Sequence, residues 1–308
     1  MRFWKVGPKR EGEILARTGG GNQIGYSPDS RFLFVDEWYR HRVTLWDLGT
    51  KTLAQTLPGK DIRYSPDGKI LTLIRETNLV IFQTSTMRPV GTVSGTAPLS
   101  GGTCISPDGK LLALRREGRP LIVDLEQRRE ITTLASDSSE GSSLLFTPDS
   151  KTLVVADSKD GAIGLWNPRS GQPVGSLGDN QVPVGALALS PDGLILAIAS
   201  KTTIQLWNLA TRTVLENSTL KGNTGNIGAL AFSPDGKTLA AGSFDGPIKL
   251  WNIPARQEVG SLKAHLSSVW GVAFSPDGRS LASTSYDYTV RLWKAPTFQE
   301  IETAQQDR

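Results

Sequence analysis

A Ser-Pro-Asp-Gly tetrapeptide, or a near copy of it, recurs seven times and constrains this chain more than any other feature. The copies are SPDS at Ser27, SPDG at Ser65 and Ser106, TPDS at Thr147, and SPDG at Ser190, Ser233 and Ser275. Their prolines stand at 28, 66, 107, 148, 191, 234 and 276, so the period runs from 38 to 43 residues. Proline presets φ for the first central position of a turn, aspartate can hold neighbouring backbone N–H groups, and glycine accepts positive φ. A type I turn closed by a left-handed residue joins two antiparallel strands. Hairpins repeating at this period, with several strands per copy, predict an all-β ring of seven blades.

The most regular copy spans Gly260 to Lys294. Val269 to Phe274 (VWGVAF) is too short and too apolar for a surface helix and reads as a buried strand. Ser280 to Ser285 and Thr289 to Trp293 read as the second and third strands. Each third strand ends alike: Leu45-Trp46-Asp47, Ile81-Phe82, Ile122-Val123-Asp124, Leu165-Trp166-Asn167, Leu206-Trp207-Asn208, Leu250-Trp251-Asn252 and Leu292-Trp293-Lys294. A more polar fourth strand is expected after each, for example Lys51–Leu57, Arg88–Val93 and Arg212–Leu220, in the outermost, solvated place.

Taken together, the turn, the Leu-Trp-Asp/Asn ending and the period make the whole chain resemble the WD-repeat family. The resemblance implies one seven-bladed β-propeller over residues 1–308, built of four-stranded antiparallel blades around a channel. It also implies a stabilising His–Ser/Thr–Asp–Trp network, which maps well onto the last repeat: His265, Ser283 or Ser285, Asp287 and Trp293. Repeat six has Asn223 in place of the histidine, with Asp245 and Trp251, and repeat four keeps Asp160 and Trp166. Repeats two and three lack the tryptophan, so stability is expected to be uneven around the ring.

Closure has two candidates. Gly12–Thr18 (GEILART) is an outer strand without a blade of its own, and Phe298–Thr303 (FQEIET) could occupy the same edge. The N-terminal strand is the expected one, paired outside Thr289–Trp293, because it clasps the ring with both chain ends. Residues 304–308 read as a loose polar tail. Ser30 and Ser150 replace the turn glycine; a left-handed serine costs about 1 kcal/mol relative to glycine.

Composition narrows the function classes. The net charge of +4 at pI ≈ 9.2 is mild for 308 residues, which is weak support for nucleic-acid binding. Cys104 is the only cysteine, so no intramolecular disulfide forms, in keeping with a reducing compartment. The charged start MRFWKVGPKREGE has no apolar core of a signal peptide, and no apolar run reaches the ~18 residues of a membrane span. A cytoplasmic monomer without cofactor or metal is the expectation.

Enzyme signatures are thin. There are two histidines, His41 and His265. No His/Cys cluster has zinc spacing, and neither a GxxxxGK[ST] loop nor a strand–GxGxxG–helix unit occurs. A Ser–His–Asp triad around His265 is conceivable, but the tryptophan partner favours structural hydrogen bonding.

The rim opposite the SPDG turns carries the more telling residues. Phe244, Trp270, Tyr286, Tyr288, Trp38 and Tyr39 are expected to form an aromatic arc over blades six, seven and one. Arg40, Arg42, Arg75, Arg115, Arg116 and Arg119 are expected to continue it as a basic arc into blades two and three. Aromatic rings and arginines are the residue types that dominate binding hot spots. The leading reading is a non-catalytic scaffold that takes a protein or peptide, an acidic or aromatic segment suiting it best. The alternatives are a nucleic-acid-binding propeller using the arginine and tyrosine arc and a propeller enzyme with a channel active site.

Overall fold

The computed structural model describes residues 12–21, 23–95, 102–136, 143–157, 161–177 and 183–294. These residues form seven antiparallel sheets, one per blade. Blade one, for example, is Gln23–Tyr26, Phe32–Glu37, Arg42–Asp47 and Thr52–Pro58, and blade two is Lys60–Tyr64, Ile70–Arg75, Asn78–Gln83 and Arg88–Val93. Blade seven takes Val269–Phe274, Ser280–Ser285 and Thr289–Lys294 from the C-terminal part and its outer strand, Glu13–Arg17, from the N-terminal part. Glu13 faces Leu292 and Arg17 faces Thr289 in that pairing. Arg291 Nη1 donates to Gly12 O at 2.8 Å, and Thr18 N to Tyr288 O at 2.9 Å. The expected closure by the N-terminal strand is therefore the one observed; Phe298–Thr303 and 304–308 lie outside the described residues.

Each SPDG copy makes the same local structure. At Ser65 the turn closes with Gly68 N donating to Ser65 O at 2.8 Å, and Gly68 sits at φ 70. Ser65 Oγ donates to Asp67 Oδ1 at 2.7 Å and accepts the Ile70 N–H at 3.0 Å, so the hydroxyl locks the hairpin. Ser30 and Ser150 hold the same left-handed geometry, at φ 61 and 59. Their side chains gain a compensating bond: Ser150 Oγ accepts Asp108 N of the preceding blade at 3.0 Å, and Ser30 Oγ accepts Asp277 N of blade seven at 3.3 Å.

Between the blades lie the hydrophobic cores. Leu71, Leu73, Phe34, Val43 and Leu45 pack the seam of blades one and two, and Ala16, Val35, Val290 and Leu292 that of blades seven and one. Apolar residues on both faces of the middle strands follow from this sandwiching. One outer strand departs from expectation. The single strand predicted over Arg212–Leu220 is two short pieces, Thr213–Val214 and Leu220–Lys221. Between them Asn217 adopts φ 49, and Ser218 Oγ donates to Leu206 O at 3.1 Å. The polar ENST stretch thus leaves the ladder, and side-chain bonding replaces part of it.

Candidate protein-interaction rim

On the rim away from the SPDG turns, four aromatic rings stack in series across three blades. Phe244 and Trp270 have centroids 4.5 Å apart, Trp270 and Tyr286 5.2 Å, and Tyr286 and Tyr39 6.3 Å. Glycine makes the first step possible, because a Cβ on Gly228 would overlap the Phe244 ring. The Phe244 carbonyl is fixed by Ser268 Oγ at 2.8 Å. Tyr39 Oη and Tyr286 Oη lie 3.3 Å apart. Burial, then the hydrogen bond and charge of Tyr39, push the Tyr286 phenol up to about 12. Trp38 opens the 3₁₀ turn Trp38–Arg40, and its side chain lies outside what the structure describes.

Tyr288 stands beside this series. Gly20, on the segment leaving the closing strand, would bring a Cβ within 3.7 Å of the Tyr288 ring and 3.9 Å of Tyr39. Tyr288 is 59% and Tyr39 62% exposed, while Leu266, whose N–H is held by Asp287 Oδ2 at 3.0 Å, is 90% exposed. Leu266 was not singled out in the sequence, although a leucine following the network histidine in a polar loop was the available signal. Tyr288 is also the only aromatic residue at positive φ (64) among the described residues. A bulky side chain in that region is strained by roughly 1 kcal/mol or more.

The basic arc is not assembled as expected. Arg115 is fully buried and donates to Gly118 O at 2.8 Å; burial lowers its pKa to about 10, partly offset by Asp157. A position inside the strand Leu111–Arg116 turned it into the protein, so it does not belong to a contact surface. Arg116 pairs with Glu130 of the outer strand. Arg40 and Arg42 both pair with Glu37, at 3.5 and 3.0 Å, and the Glu37 side chain is 1% exposed. Gly19 N also donates to Glu37 at 3.0 Å, so this carboxylate ties the closing segment to blade one. Arg75 donates to Pro58 O at 3.0 Å and covers the Phe82 ring at 5.2 Å. Arg119 is exposed.

In the last repeat the network is complete. Trp293 Nε1 donates to Ser283 Oγ at 2.9 Å, Ser283 Oγ lies 2.7 Å from His265 Nε2, and His265 Nδ1 lies 2.9 Å from Asp287 Oδ2. Ser283 is the bridging serine; Ser285 instead takes the Asp287 N–H at 3.1 Å and donates to Ser267 O at 2.9 Å. Burial lowers the His265 pKa against the pull of Asp287. Burial raises that of Asp287, but bonds from Thr289, Leu266 and His265 outweigh it and hold the carboxyl at about 2. The neutral ring then donates from Nδ1 and accepts at Nε2. Ser283 is 0% exposed beneath Trp293, so this serine–histidine–aspartate array is closed to a substrate. Repeat six lacks the array: both side-chain polar atoms of Asn223 and the Trp251 Nε1 are buried with no hydrogen-bond partner among the described residues. Asp160 lies outside the described residues.

A cavity of about 320 Å³ occupies the channel mouth, and Arg63 is the one ionisable side chain among its described lining residues, which include Gln23, Trp270, Gly185 and Gly228. No group of three His, Cys, Asp or Glu side chains among the described residues could hold a metal ion. No helix among them is long and apolar enough to cross a membrane.

A family model described as WD domain, G-beta repeat, matches residues 171–208, 216–252 and 256–294. Each match starts on or near the outer strand of one blade and ends on the third strand of the next, the stagger that leaves blade seven in need of an N-terminal strand. None of the curated proteins matches the chain. Three matched repeats and a ring of seven antiparallel blades together support a WD-repeat β-propeller.

Proposed function

We propose that this propeller is a non-catalytic interaction platform, and that its rim over blades six, seven and one receives a protein or peptide segment. The observation that carries the reading is the continuous series Phe244–Trp270–Tyr286–Tyr39, flanked by the exposed Tyr288 and Leu266. Large rings with few rotors lose little entropy on contact, and a rigid ring adds little more. WD-repeat propellers commonly act through protein contacts, which agrees with this reading. Nucleic acid is the weaker reading, because Arg40, Arg42 and Arg116 already have carboxylate partners that compete with phosphate.

Affinity capture from native lysate tests it, comparing wild type with a Tyr39→Ala/Leu266→Asp variant and with Lys69→Glu on the turn rim as control. Partners lost only in the rim variant, at an unchanged thermal midpoint, support the platform. Equal capture by all three proteins would contradict it.

A further inference from the structure

At the seam of blades one and two, two aspartates are buried, the carboxylate of one on the backbone N–H of the other. Asp36, near the end of Phe32–Glu37, is 2% exposed, and Asp61, on the innermost strand of blade two, is 5% exposed. The Asp61 backbone N–H donates to Asp36 Oδ2 at 2.6 Å. This bond anchors Asp61 at φ 55, within the register shift between Lys60 and Arg63. Asp61 Oδ1 accepts from Gln23 Nε2 at 3.1 Å, and Gln23 Oε1 accepts from Arg63 Nη1 at 2.7 Å. Arg63 also donates to the carbonyls of Thr103 and Ile62, both at 2.7 Å, so it reaches Asp61 through Gln23. Asp36 Oδ1 is buried with no hydrogen-bond partner among the described residues.

Two ionised carboxylates in such a place repel each other, and an unpartnered carboxylate oxygen out of water is costly. We propose that Asp36 and Asp61 hold a single dissociable proton between them, and that this proton sets how firmly blades one and two close on each other. Burial, reinforced by the charge of Asp61, pushes Asp36 up to about 7. Burial also raises Asp61, against the opposing pull of Arg63, Lys60 and the Gln23 hydrogen bond.

The surrounding groups agree with a proton rather than a metal ion. Lys60 and Arg63 act on the pair from the inner strand of blade two. Gln23, directly opposite Asp36 on the inner strand of blade one, is neutral, as is Val43 on its other side. Glu37, next in the chain, is engaged by Arg40, Arg42 and Gly19. From the blade-three side, Thr103 Oγ1 donates to Asp61 O at 3.5 Å. The strand that carries Asp36 leads directly into the turn bearing Tyr39, three residues further along the chain.

The test is a carbon-13 NMR titration of aspartate carboxyls in the full-length wild-type protein, assigned with Asp36→Asn and Asp61→Asn. Amide hydrogen exchange across the seam is followed in parallel. The expected result is one carboxyl titrating near pH 7, absent in Asp36→Asn. Seam amides, corrected for intrinsic rates, should be protected about tenfold better at pH 6 than at pH 8. Both carboxyls titrating below about pH 5 would overturn the shared proton. A midpoint near 7 with equal protection at both pH values would overturn its hold on the seam. The wild-type measurements decide both points even if neither variant folds.

Discussion

Tyr39 and Tyr286 are 247 residues apart in the chain, yet their hydroxyls lie 3.3 Å from each other across the seam of blades one and seven. That contact exists because the strand Glu13–Arg17 completes blade seven and delivers Gly20 beneath Tyr39 and Tyr288. Ring closure and the aromatic rim are thus one construction.

Tyr288 separates contact from stability. Its φ of 64 suits glycine better than tyrosine. Tyr288→Gly is expected to leave stability unchanged or to raise it by up to about 1 kcal/mol, relief of strain offsetting the added unfolded-state entropy. Partner capture should nevertheless fall. Urea unfolding of the same preparation used for capture gives both values.

Ser283→Ala strips one partner from both Trp293 Nε1 and His265 Nε2. Leaving two buried polar groups unpaired should cost about 2–4 kcal/mol, measured by chemical denaturation. Trp251→Phe should cost less, because the Trp251 Nε1 has no hydrogen-bond partner among the described residues to lose.

His265 and Asp36 give opposite pH slopes. The folded-state pKa of His265 is depressed, so its contribution is complete above the unfolded value of about 6.5 and is lost as pH falls below it. That of Asp36 is raised to about 7, so the fold gains from it at low pH and loses that gain as pH rises toward 7 and beyond. In Asp36→Asn the thermal midpoint should therefore fall less between pH 5 and 8 than in wild type. Calorimetric scans across that range show whether it does.

The turn rim offers a paired comparison. A Cβ on Gly193 would come within 2.7 Å of Pro148 Cδ, at a backbone φ of 74. Gly193→Ser should destabilise by more than about 1 kcal/mol. Ser150→Gly removes left-handed strain but also the bond from Asp108 N, terms of about 1 kcal/mol each, so its midpoint should barely move.

Ala16, 6% exposed, packs with Val290 and Leu292 in the closing blade. Ala16→Asp places a charge there, with an expected loss of about 2 kcal/mol or more. Loosening the closing strand also frees the edge of Thr289–Lys294, and an unpaired edge recruits other chains. Light scattering should show self-association in this variant and not in wild type.

Much of this architecture was legible in the sequence because it is written locally and repeated. Each SPDG turn encodes its own hairpin, and the Leu-Trp ending marks where each third strand stops. The gathering of Phe244, Trp270, Tyr286 and Tyr39 was legible too, since hairpin tips of successive blades must gather on one rim. The basic arc was not, because it depended on partners chosen in three dimensions. Glu37 lies five residues from Arg42 and Glu130 fourteen from Arg116, and no spacing rule links either pair. Arg115 and Arg116 are neighbours, yet the alternation of a strand sends one inward and the other toward the outer strand. Asp36 and Asp61 carry no signal in the sequence for a similar reason: they belong to different repeats and meet only at a seam.

The central claim, that the rim above the closure seam is where a partner sits, is tested most directly by site-specific photocrosslinking. A benzophenone side chain is placed at Tyr39, at Tyr288 or at Lys69 on the turn rim, and adducts formed in lysate are compared. The account predicts the same adduct from Tyr39 and Tyr288 and none from Lys69. An adduct arising from Lys69 alone, or equally from all three positions, would contradict it.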